Sequence, residues 1–209
     1  MERADHSDEL FDDLRDGLGK RTRDRESSVR VQAVIALARF QSSDDEAGIR
    51  VTKALIELLQ HDPSAYSSKA ELSNCSEVRR AVLFNLEQTR ATILFIIERA
   101  RDVDAINRRC VYSRSMNEIG DFRILSIGNR ERILRWGLRD RDANTKKAAV
   151  RMFAHKWVEQ ANNNVLELLE RLDVVNSKIA EEAMRAFFES RPEVLDSFQF
   201  NGIQSLNSG

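Results

Sequence analysis

A nine-residue pattern recurs five times along the chain, an apolar or small residue followed at +4 and +8 by two more. The copies are VRVQAVIAL beginning at Val29, VRRAVLFNL at Val78, NRRCVYSRS at Asn107, TKKAAVRMF at Thr145 and IAEEAMRAF at Ile179. On a helix, positions 0, +4 and +8 fall within about 80° of one another, so each copy writes one buried stripe, such as Val29, Ala33 and Leu37. The copy at Asn107 is the weakest match, and no alternating strand pattern competes with any of them.

Ahead of the later copies runs a second apolar-periodic segment: Val51, Leu55, Leu58 and Leu59; Ile93 to Ile97; Ile127, Leu134 and Leu138; Val165, Leu169 and Leu172. The first copy is preceded by a short helix over Leu10 to Leu18. Each unit therefore reads as a helical hairpin. Its turn carries Asp102 and Asp104, Asp140 and Asp142, or Asp173 and Asn176, side chains suited to capping the following helix. The copies start 49, 29, 38 and 34 residues apart. The last two spacings fit two-helix repeats, and the missing Trp-Leu-Gly signature of tetratricopeptide repeats favours the HEAT type. The expected fold is all-α, an α-α superhelix (a HEAT/armadillo-like solenoid) of about five hairpins over residues 1–195, followed by an irregular tail over 196–209. A hairpin of this kind hides its stripe only against its neighbours, and neither end of the array reads as a polar cap. A longer array is expected.

Composition narrows the function classes. Charged residues make up 32% of the chain while proline occurs only at Pro63 and Pro192, both of which favour helix. The net charge of −1 excludes a strongly basic chain overall, but charge is segregated. Residues 130–151 hold eight Lys or Arg against Glu131, Asp140 and Asp142, whereas 1–28 and 156–209 are acidic. Cys75 and Cys110 have no paired spacing with each other or with His6, His61 and His155, so neither a disulfide framework nor a metal site is expected. The N-terminus lacks an apolar signal region, and the longest apolar run is too short to span a bilayer. A soluble intracellular protein is the expectation.

Motifs of catalysis are missing as well. GLGK at Gly17 has the wrong spacing for a phosphate loop, and there is no HExxH or Gly-x-Ser-x-Gly element. His155 reads as an ordinary helical histidine. Trp136 and Trp157, at helical spacing among Ile133, Leu134 and Phe153, read as core. The chain is expected to have no catalytic residues, no cofactor and no small-molecule substrate.

With the hairpins placed, several stretches resemble the middle HEAT region of the condensin subunit 3 family, the G-type non-SMC partner of the kleisin. They are SSVRVQAVIALARFQ from Ser27, VTKALIELLQHDPSA from Val51, EVRRAVLFNL from Glu77, ERARDVDAINRRCVYSR from Glu98, IGDFRILSIGNRERILRWGLRDRD from Ile119 and ELLERLDVVNSKIAEEAMRAFFESR from Glu167. VRxxA is common to many scaffolds, so DVDAINRRCVYSR and LRWGLRDRD carry the resemblance. It implies a non-catalytic partial chain that binds the kleisin and, through it, the SMC ATPase subunits. It also implies a grip on double-stranded DNA without sequence preference during mitotic chromosome condensation. The implied location is the nucleus and condensed chromosomes, with a cytoplasmic share and no membrane association. Two departures stand out. Eleven residues, Tyr66 to Ser76, intervene where the family runs from DPSA into EVRRAV, and they read as an inserted surface loop. Removing them turns the spacing of 49 into 38, that of Asn107 to Thr145. The tail after Asp196 also departs from the family.

Candidate DNA-binding residues recur in register near the starts of the second helices: Arg30, Arg79, Arg80, Arg108, Arg109, Lys146, Lys147 and Lys178. In a HEAT stack these helices line the concave face, where recurring cations would track phosphates. Arg30, Arg79, Arg108 and Lys146, one position past the first apolar residue, are also placed to pair with turn acids of a neighbouring repeat. Arg80, Arg109 and Lys147 point roughly 200° from that apolar position and suit a partner better. Arg130, Arg132, Arg135, Arg139 and Arg141 lie on or after a first helix and read as solvated surface, with phosphate contact from the ridge as the alternative. Alternatives are a peptide-binding HEAT adaptor without DNA binding and, remotely, a HEAT-like DNA glycosylase, which would need an acid beside concave aromatics.

Overall fold

A computed structural model describes residues 2–60, 69–172, 174 and 177–194, with side chains over 9–60, 76–172, 174 and 177–194. Every regular element among them is a helix, and the chain divides into two compact units, residues 1–99 and 100–209. The first contains α1 (Glu2–Arg21), α2 (Ser27–Leu37), α3 (Glu46–Gln60), α4 (Lys69–Asn85) and α5 (Ile93–Glu98). Here α2 packs on α1 and α4, and α3 packs on α4 and α5.

The second unit contains α6 (Ala105–Cys110), α7 (Met116–Glu118), α8 (Ile127–Leu138), α9 (Ala143–Arg151), α10 (Val158–Gln160), α11 (Val165–Glu170) and α12 (Lys178–Ser190). A π-helical stretch, Val111–Ser115, joins α6 to α7, and another, Met152–Trp157, joins α9 to α10. In this unit α9 packs on α6 and α8, and α12 packs on α8 and α9. No helix among the described residues is long and apolar enough to cross a membrane.

The recurring stripe lies in the core. Positions 0, +4 and +8 are buried in all four later copies, including Asn107, Val111 and Ser115 in the weakest one; in the first, Ala33 and Leu37 are buried and Val29 is half-buried. Trp157 is fully buried and stacks on Phe122 with ring centroids 5.0 Å apart. A large side chain buried in this way contributes about 1.5–3 kcal/mol. Where α8 crosses α9, a Cβ on Gly137 would come within 2.4 Å of the Ala149 Cβ and 2.8 Å of the Tyr112 ring. Only glycine permits so close an approach.

The aspartates at the turns act in pairs. Asp104 caps α6 by accepting from the Asn107 amide at 3.0 Å, and Asp142 caps α9 by accepting from the Thr145 amide at 2.8 Å. Two residues earlier, Asp102 and Asp140 accept from the amides of Asp104 and Asp142 at 2.9 and 2.8 Å, tightening each turn. Glutamines brace the other ends of the second helices. Gln41 donates to the Asn85 carbonyl and accepts from the Glu87 amide, and Gln160 donates to the Ile119 carbonyl and accepts from the Phe122 amide. Each glutamine thus satisfies backbone groups that a terminating helix leaves exposed.

Four expectations change. The segment Tyr66 to Ser76 was expected to be a loop, but Lys69 to Ser76 form the first turns of α4; KAEL supplies good helix formers and nothing there breaks a helix. Residues 66–68 lie outside the described residues, as do Asp173, Asn176 and the tail 196–209. The cap of α12 is Ser177, whose hydroxyl accepts from the Ile179 amide at 3.3 Å. Arg130 is not solvated surface: it is 7% exposed, lies over the Phe122 ring at 5.5 Å and donates to the carbonyls of Arg171 and Arg123. Trp136 is half-buried instead of core, at the surface where the guanidiniums of Arg101 and Arg132 lie over its ring at 5.6 and 4.9 Å.

Candidate nucleic-acid interface

The recurring cations fall into different environments. Arg30 is 3% exposed, and its guanidinium donates to the carbonyls of Asp24 and Arg25 at 2.8 and 2.9 Å, closing the turn ahead of α2. Arg108, 6% exposed, does the same with the carbonyls of Asp102 and Val103 at 3.0 and 3.3 Å. It also forms a two-pronged ion pair with Asp140 of the next turn, at 2.8 and 3.0 Å. These two arginines hold turns together and are not presented to a phosphate.

The electrostatics agree. The bond to Asp140 holds the Arg108 guanidinium above its ordinary pKa. Burial pushes the Asp140 carboxyl up, but the hydrogen bonds from Arg108 and from the Asp142 amide outweigh it and leave the carboxyl below its usual value. Asp142 is lowered by the Thr145 hydroxyl and then by the Thr145 amide. Both turn aspartates are thus anionic at neutral pH.

In the first unit Arg79 and Arg80 lie half-buried on α4. In the second, Lys178 is exposed in the first turn of α12, and Lys146 is exposed on α9. The structure brings Arg109 and Lys147 together. They line an open groove of about 390 Å³ with Ser113, Asn117, Asn144 and Arg151. Its walls are two rows at helical spacing: Arg109, Ser113 and Asn117 run along α6 and its continuation, and Asn144, Lys147 and Arg151 run along α9.

No carboxylate lines this groove, and none of Arg109, Lys147 and Arg151 is in a salt bridge among the described residues. Three cations flanked by amide and hydroxyl donors suit phosphate oxygens. Arg151 was not singled out in the sequence as a candidate, although its place one turn after Lys147 puts it on the same helix face. No group of three His, Cys, Asp or Glu side chains that could hold a metal occurs among the described residues.

No protein-family model matches the chain. Curated relatives do. The chain is 50% identical to condensin complex subunit 3 of Schizosaccharomyces pombe over 194 residues, covering 92% of the chain and 21% of that protein. Condensin complex subunit 3 of Saccharomyces cerevisiae is 38% identical over 203 residues, and the human protein of the same name is 33% identical over 193. These matches cover 91% of the chain, and 19% and 18% of the respective relatives. Among solved structures, a chain of the S. pombe condensin Cnd3–Cnd2 subcomplex superposes with a TM-score of 0.79 at 50% identity, over 91% of this chain and 23% of that one. The likeness covers both the sequence and the helical-repeat fold.

Proposed function

We propose, from the premise that the chain belongs to the condensin complex subunit 3 family and spans about a fifth of its relatives' length, that it is a non-catalytic HEAT scaffold which grips double-stranded DNA by its phosphates while engaging the kleisin. The observation that carries the DNA reading is the groove of Arg109, Lys147 and Arg151, which no carboxylate lines. Such a site releases counterions from the duplex on binding and is indifferent to sequence. Kleisin engagement rests on the likeness to a chain crystallised as a Cnd3–Cnd2 subcomplex, in which Cnd2 is the kleisin. Through the kleisin, the SMC ATPases become indirect partners, and the place of action is the chromosome. Within this reading Arg30 and Arg108 are structural, and Arg151 joins Arg109 and Lys147 as a phosphate contact. Arg79, Arg80, Lys146 and Lys178 are secondary candidates.

The test is duplex affinity as a function of salt. A plot of log K against log salt should be linear, and joint charge reversal of Arg109, Lys147 and Arg151 to Glu should lower its slope by about 2–3, at roughly 0.9 per lost phosphate contact. An unchanged slope in a folded triple variant would falsify the assignment. A binding constant that differs tenfold between unrelated duplex sequences would also end it.

A further inference from the structure

A second cationic hollow lies on the turn side of the same unit and shares no lining residue with the groove. It has a volume of about 500 Å³ and is lined by Arg101, Arg135, Trp136, Arg139 and Arg141, with Asp102, Arg108 and Asp140 at the turns. The charges there do not cancel. Arg108 is matched by Asp140, and Arg139 forms a two-pronged pair with Glu182. Arg101, Arg135 and Arg141 are exposed and in no salt bridge among the described residues.

Trp136 gives the hollow its order. With Arg101 and Arg132 both over its ring, at 5.6 and 4.9 Å, the indole holds two long side chains that would otherwise sample many rotamers. A guanidinium steadied over an aromatic ring samples fewer rotamers, so less ordering of Arg101 is left for a ligand to impose. The Arg139–Glu182 pair is exposed and weakly held, so Arg139 can turn toward an incoming anion.

We propose that this hollow is a docking site for an acidic peptide segment of a partner protein carrying a phosphoryl group. A phosphoryl group brings a charge of about −1.5 to −2 and three acceptor oxygens, which complement two or three unmatched guanidiniums in one small space. Duplex DNA fits less well. Its phosphates run as a continuous track, and here they would pass over Asp102, Asp140 and Glu182, whereas the groove of Arg109, Lys147 and Arg151 has no carboxylate. A base stacking on Trp136 would have to displace a guanidinium already there. The occupied ring therefore favours an anion that binds the arginines over a base that stacks on the indole.

The full chain can be titrated with a fluorescein-labelled, Glu- and Asp-rich peptide holding one phosphothreonine, with its unphosphorylated twin, and with a short DNA duplex. Anisotropy gives affinity. Tryptophan emission gives location, because of the two tryptophans Trp157 is fully buried and Trp136 is not. The phosphopeptide is expected to bind at least about tenfold tighter than its twin, one or two charge-assisted hydrogen bonds, and to change the emission. Arg135→Glu with Arg141→Glu should abolish that preference, and Arg101→Gln should weaken it without adding charge, while Lys147→Glu leaves it intact. Equal affinity for both peptides overturns the proposal. So does a preference that survives the double reversal, or duplex affinity that falls with the double reversal as steeply as phosphopeptide affinity.

Discussion

The turn side of the second unit and its open groove are both built with arginine, and adjacent residues divide between them. Arg108 is buried against Asp140 and two carbonyls of its own turn, whereas Arg109, the next residue along, faces the groove with Lys147 and Arg151. What separates the two is the direction each takes from one helix, not charge or composition. Arginine in the turn does the work of a cross-link between successive hairpins. Arginine in the groove is in no salt bridge among the described residues, and no carboxylate lines the groove.

The sharpest way to break this contrast is Arg108→Ala. Its side chain and that of Asp140 are 7% and 5% exposed, so removing the guanidinium strands a buried carboxylate and should cost about 3–5 kcal/mol. Urea denaturation would read the loss. Per folded molecule, DNA affinity should stay unchanged, and a drop equal to that of Lys147→Ala would erase the distinction between the regions.

Acid should weaken the turn side next. Asp140 and Asp142 are held below their ordinary value of 3.8, so the folded state binds fewer protons than the unfolded chain. Their stabilisation is complete above that value and is lost as pH falls through the lowered folded values. The urea midpoint should therefore fall between about pH 5 and about pH 3, and Asp140→Asn, less stable at the start, should lose less over that range. A wild-type midpoint that is flat across this window would contradict the prediction.

The smallest effect belongs to the groove. Arg151→Ala should change stability by less than about 0.5 kcal/mol, as expected for an exposed side chain without a partner, and lower the salt slope of duplex binding by about 1. A large loss of stability would move Arg151 to the architectural side of the comparison.

The central stripe of the core was legible in the sequence because it is periodic: fixed offsets from Val78, Asn107, Thr145 and Ile179 named it, but not the fully buried Tyr112, Met116 and Phe122. The capping aspartates were legible because capping is local, as with Asp104 and Asp142. The pairing of Arg108 with a neighbouring turn acid followed from the register of the hairpins. Arg130 and Trp136 were misread because their environments come from residues remote in sequence, the Arg171 carbonyl for one and Arg101 for the other. Gln41 and Gln160 carry no local signature, since a glutamine that braces another helix end looks like any surface glutamine. Arg151 left a signal, one helical turn past Lys147, that a search centred on helix starts passes over.

The two π-helical stretches, Val111–Ser115 and Met152–Trp157, interrupt the helices that supply the groove, just beyond its basic residues. Each accommodates one more residue than regular α geometry would, so the cations ahead of it and the apolar side chains behind it follow separate registers. Excising one residue from either stretch would let the helix regularise while leaving the residues downstream close to their present directions. The single added residue works like a washer beneath a bolt: it lets the binding edge and the packing edge of one rod be aimed independently.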